Sequence, residues 1–157
     1  MARAPGFDLA DAHRYFAAYC FNWAWDLIEK PDRSPQDDRQ MVALTQASIF
    51  HWSQRPDCED RNMSIGYWQA SRVQSLIGNP AEALRLGEIC LGYSHGQPPY
   101  LLAYAHEALA RARSQLGQPE QSAQHLAAAH GLLTSVKDPA DRDRLAADLS
   151  EIEAGVS

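Results

Sequence analysis

Leu76-Ile77-Gly78-Asn79-Pro80-Ala81-Glu82-Ala83 stops one helix and starts the next. Glycine carries the backbone past a helix C-terminus at little steric cost. Proline two residues later suits a first helical position, where its missing N–H is not needed. Leu116-Gly117-Gln118-Pro119-Glu120-Gln121-Ser122-Ala123 repeats the punctuation, with Gly117 standing 39 residues after Gly78. A recurring helix–Gly–x–Pro–helix unit predicts antiparallel helix pairs stacked as a short repeat, an all-α fold.

Working outward, Ser34-Pro35-Gln36-Asp37 and Asp138-Pro139-Ala140-Asp141 share the logic of Asn79-Pro80-Ala81-Glu82. A short polar side chain accepts from a free amide, proline follows, and an acid at the third position faces the positive end of the helix dipole. Gln118-Pro119-Glu120-Gln121 is a weaker version. These signals divide the chain into about seven helices: residues 8–29, 35–54, a third ending at Ile77, then 80–93, a fifth ending at Leu116, 119–136 and 139–153. Leu9, Phe16, Tyr19, Trp23 and Leu27 form the expected buried stripe of the first helix; Met41, Leu44, Ser48 and Trp52 form that of the second. Asn79 is expected to cap the helix from Pro80. The chain reads as one domain over residues 1–157, with a flexible tail over 1–7. Residues 138–157 form a capping helix and tail, with Leu145, Leu149 and Ile152 turned inward.

The 157 residues carry a formal net charge of −6, which opposes nonspecific attraction to nucleic acid or an anionic membrane. Cys20, Cys58 and Cys90 are too few and too scattered for a disulfide framework or a metal knuckle. They read as free thiols in a reducing compartment. With no signal-like run and no stretch of membrane-spanning length, a cytoplasmic protein is expected.

Around the two turns, small residues recur in register. Ser71 and Ala110 lie mid-way along the preceding helices; Gly78 and Gly117 close them; Ala83 and Ser122, then Cys90 and Ala129, follow on the next helices. In this the chain resembles tetratricopeptide repeats, in which small side chains let helices approach closely. The resemblance spans about Ser64 to Leu133 and implies a short right-handed superhelix. Its period is 39 rather than about 34 residues, and Gln74 and Arg113 replace a large hydrophobe expected four positions before each glycine. Strings around His51-Trp52, Trp68–Arg72 and Glu107–Arg111 resemble those of small bacterial proteins, a resemblance that implies no activity.

Aligned on their glycines, the repeats make Arg72 equivalent to Arg111 and Trp68 equivalent to Glu107, one turn earlier on the same face. The tetratricopeptide resemblance implies that these four line a concave groove as two columns. Paired guanidinium groups beside an indole suit a carboxylate, a phosphate or a peptide C-terminus. Equally, Glu107–Arg111 reads as an ordinary i,i+4 ion pair and Trp68 as core. His51 is a candidate base or a metal ligand alongside His106 and Glu107, or else a core histidine. Asn22 and Asp26 on the first helix read either as site residues or as an anchor and a solvated acid. No nucleotide loop, nucleophile elbow or metal-ligand spacing is present, so neither a cofactor nor a metal is implied.

Two functional readings follow. One is a scaffold or binding module whose concave groove accepts a protein or peptide segment, or an anionic group. The other is a small-molecule binder or enzyme with a pocket between helices 1, 2, 3 and 5, using His51, Arg72 and Glu107 with Trp52, Trp68 and Tyr104. Convergence of those side-chain tips on one pocket separates them. A homodimer is expected if the first two helices cannot bury their aromatic surface.

Overall fold

The computed structural model describes residues 6–155. Within them seven helices follow one another: α1 Leu9–Ile28, α2 Pro35–Ser53, α3 Asp60–Leu76, α4 Pro80–Ser94, α5 Pro99–Gln115, α6 Pro119–Leu133 and α7 Pro139–Glu153. Among the described residues there is no strand. Sequential helices pack as the pairs α1–α2, α3–α4 and α5–α6, stacked through α2 on α3 and α4 on α5. α3 also meets α5, and α7 closes the stack against α5 and α6. Most of the expected 1–7 tail lies outside the described residues.

The two turns that reveal the repeat are superimposable in their bonding. Gly78 and Gly117 adopt φ of 79° and 69°, the left-handed conformation that glycine tolerates best. The next residue's amide returns to the helix it has left: Asn79 N to Gln74 O and Gln118 N to Arg113 O, both 2.9 Å. Side chains at the same positions also join. Asn79 donates to Gln74 Oε1 at 3.0 Å, while Arg113 donates to Gln118 Oε1 at 2.7 Å. Gln74 and Arg113 depart from the tetratricopeptide pattern and instead tie down the turn. Asn79 is thereby diverted from the capping bond expected of it. Ser34 and Asp138 do cap, Ser34 in a reciprocal box with Asp37.

Small residues bring the paired helices together. Ser71 Oγ on α3 donates to Ala83 O on α4 at 2.8 Å, and Ser122 Oγ on α6 donates to Ala110 O on α5 at 2.9 Å. The same two positions are joined in each repeat, with the hydroxyl supplied by opposite helices. Ser48 Oγ makes the corresponding link from α2 to Ala17 O on α1 at 2.8 Å.

α1 departs from expectation. Its buried residues are Ala17, Cys20, Ala24 and Leu27, while Leu9, Phe16, Tyr19 and Trp23 are exposed. Close approach to α2 selects the small face over the aromatic one, because the serine-to-carbonyl bond at Ala17 leaves no room for rings. On α2, Met41, Leu44 and Ser48 are buried as expected, whereas Trp52 is only partly so. Asn22 and Asp26 are both exposed. On α7, Leu145, Leu149 and Ile152 are buried as expected. Among the described residues no helix is long and apolar enough to cross a membrane.

Candidate functional site

α3 and α5 bring four of the expected residues together. The Trp68 indole N–H donates to Glu107 Oε2 at 2.9 Å, and Arg111 Nε donates to Glu107 Oε1 at 2.9 Å. Arg111 Nη2 also lies 2.8 Å from that oxygen, but its hydrogens are not aimed there. Charge attraction rather than a directed bond operates at that end. Glu107 and Arg111 are only 1% and 3% exposed, so the i,i+4 pair is a buried one and neither group is an open groove ligand. Arg72 remains partly exposed, held below its usual pKa by burial and by the neighbouring Arg111 cation.

The anion facing the two arginines is supplied by the chain itself. Glu151 on α7 lies 3.7 Å from Arg111 and 3.9 Å from Arg72. Asp148, one turn earlier, has its carboxyl raised to about 6. Burial is the main cause and Glu107 adds to it, against the pull of Arg72 and Arg111.

Beside this cluster opens a cleft of about 450 Å³ between α1, α3, α5 and α7. Four aromatic side chains line it: Trp25, Trp68, Tyr100 and Tyr104. Trp25 and Trp68 have ring centroids 5.6 Å apart at 35°; Trp68 and Tyr104 are 5.1 Å apart, nearly perpendicular at 67°. Glu29, Asp141 and Arg144 complete the charged part of its lining. Burial, Asp148 and Glu107 push the Tyr104 phenol far above its usual pKa, so it stays protonated as a donor.

The remaining expected residues lie elsewhere. His51 Nδ1 is 2.8 Å from His13 Nδ1 on α1, among Phe16 and Phe50. Burial and His13 lower its pKa. Trp52 carries the Arg55 guanidinium 3.9 Å above its ring and borders a second hollow, of about 140 Å³, with Asn22 and Gly66. The tips of His51, Arg72 and Glu107 do not enclose one pocket, and α2 does not line the larger cleft. His106 pairs with His125 at 3.1 Å rather than with His51. Among the described residues no three His, Cys, Asp or Glu side chains come together in a way that could hold a metal ion.

Sequence reasoning missed Trp25 and Tyr100. Tyr100 could have been found, since it lies one turn before Tyr104 on the same face. Trp25 was obscured because Trp23, two residues away, matched the stripe mistaken for the buried one. No protein-family model, curated protein or solved structure matches this chain.

Proposed function

We propose that the protein is a binding module of tetratricopeptide-like architecture, a short right-handed superhelix whose concave cleft receives a segment of a protein or peptide partner. The observation that carries this reading is the aromatic cleft itself, open between the first helices of the three pairs. Such clefts give a partner side chain apolar area and fixed orientation together. Selection from a random peptide pool tests it. Peptides retained by the native protein should lose affinity for the Trp25→Ala and Tyr100→Ala variants; equal retention by both variants overturns the reading.

An anionic group on the partner is a second element of the proposal, supported by Arg72, which stays partly exposed with the half-exposed Glu151 3.9 Å away. In this reading Glu151 holds the place of a partner carboxylate. Glu151→Gln should then tighten binding of acidic peptides, and unchanged affinity would exclude the exchange. The three free cysteines accord with a cytoplasmic setting.

A second copy of the chain is the proposed cover for the outer face of α1. Tyr15, Phe16, Tyr19 and Trp23 are exposed there as a chain of ring contacts, with the exposed Phe50 of α2 joined to it through His51. The end units of stacked repeats ordinarily present polar faces, and this end does not. Sedimentation should show a dimer that Tyr19→Glu dissociates; a monomer at high concentration excludes it.

A further inference from the structure

We propose that the concave cleft takes an organic ammonium ion, its alkylated nitrogen seated among Trp25, Trp68, Tyr100 and Tyr104. The inference rests on the reading of this cleft as a binding site and names the chemistry it selects.

The Trp68 ring is inclined to those of Trp25 and Tyr104 at the angles given above, so the three do not stack into a flat slot that would favour a planar ligand. Inclined indole and phenol rings around a compact cation offer attraction from several directions at once. Trp68 is prepared for this. Its N–H edge is held by Glu107 Oε2, which fixes the ring and puts the negative end of the Glu107–Arg111 pair against it. A carboxylate bonded to the indole N–H raises electron density in the ring and strengthens its attraction for a cation.

Charge agrees. Glu29 and Asp141 are the carboxylates of the lining, against Arg144 alone. Arg144 lies mostly in solvent, with Nη1 3.6 Å from Asp141. Among the described residues the one guanidinium found over an aromatic ring is Arg55, on Trp52, outside this cleft. An anion would meet two carboxylates and four aromatic rings here, and the neighbouring arginines already face Glu107 and Glu151.

The polar lining also selects the degree of alkylation. Aromatic rings are weak hydrogen-bond acceptors, and the strong acceptors of the lining are the Glu29 and Asp141 carboxylates and the tyrosine hydroxyls. A primary ammonium would forfeit hydrogen bonds to water that the cleft replaces only in part, whereas a quaternary nitrogen has none to lose. The same chemistry could come from a free small molecule or from a trimethylated lysine on a partner segment.

Titration of the native protein, followed by tryptophan fluorescence and by the indole N–H signals in NMR spectra, tests the proposal. The probes are choline, its neutral isostere 3,3-dimethylbutan-1-ol, and one peptide with its lysine either trimethylated or unmodified. Choline should bind about 5- to 30-fold more tightly than the isostere. Tyr100→Leu and Glu29→Gln, both distant from the buried ion pair, should each reduce that preference. Equal binding of choline and isostere, or no choline binding, overturns the inference. If peptides bind regardless of methylation while choline does not, the partner-segment reading survives and this one fails. If choline binds and neither peptide does, this inference stands and the partner-segment reading fails. Tighter binding of the trimethylated peptide than of choline identifies the partner segment as the source; the reverse identifies a free ligand.

Discussion

Trp68 and Glu107 occupy equivalent positions in successive repeats, 39 residues apart, and the indole of one donates directly to the carboxylate of the other. Repeat symmetry is broken where it is most useful. Two tryptophans or two glutamates at these positions could not form the bond, and Arg111 would lose the acceptor it shares with Trp68.

Breaking that cluster should cost stability in a way that depends on which partner is removed. Glu107→Ala leaves Arg111 buried with only the half-exposed Glu151, 3.7 Å away, to oppose its charge, an expected loss of about 3 kcal/mol. Arg111→Met strands Glu107 and should cost a similar amount. The double variant should cost clearly less than the two losses combined. Urea unfolding of the four proteins in the cycle measures the coupling, and simple additivity would show that the pair is not energetically linked.

Asp148 gives the stability a specific pH signature. Its carboxyl titrates near 6 in the folded protein, above its value of 3.8 in the absence of these surroundings. The folded state therefore holds the proton more tightly, so this contribution is full below about pH 4 and is lost as pH rises through about 6. Asp148→Asn should make the protein more stable than the native chain above pH 6, by up to about 2 kcal/mol after allowing for partial exposure. The difference between the two should shrink toward pH 4. A difference independent of pH would refute the shift.

The histidine pairs act with the opposite sign. Burial lowers the pKa of His51, helped by His13; burial lowers that of His106, helped by His125 and His95. The unfolded chain takes up these protons first, so stability should fall as pH drops below about 6.5. His51→Gln should lessen that acid sensitivity, measured as thermal midpoints between pH 7 and pH 5. An unaltered slope would remove His51 from the account.

Glycine replacements should divide by backbone conformation. Gly78→Ala and Gly117→Ala force a side chain into left-handed backbone and should each cost about 1–2 kcal/mol. Gly92 in α4 and Gly131 in α6 have open space where a Cβ would stand, and alanine there should stabilise by about 0.5–1 kcal/mol. Thermal unfolding of the four variants checks the division.

The helix boundaries were legible because caps, prolines and left-handed glycines act locally, within a turn of the residue that signals them. The equivalence of Trp68 with Glu107 and of Arg72 with Arg111 was legible too, since a repeat carries its own alignment. What could not be read was which side of α1 faces inward. Its aromatic stripe and its small-residue stripe both have helical period, and only the partner helix decides between them. Closeness to α2 favours Ala17, Cys20 and Ala24, and the rings are left outside. The reach of Glu151 over the two arginines was hidden for a related reason: it depends on how α7 lies across α5, a matter of tertiary packing.

That reach has a consequence for how the array ends. Glu151 lies within 4 Å of arginines contributed by two different repeats, one on α3 and the other on α5. A helix pair inserted between them would carry Arg72 out of range, and one deleted would leave a single arginine to meet. α7 thus registers the junction between the two units nearest to it. Growth or loss of a repeat at that junction, but not at the far end of the stack, would leave this terminal carboxylate with the wrong number of partners.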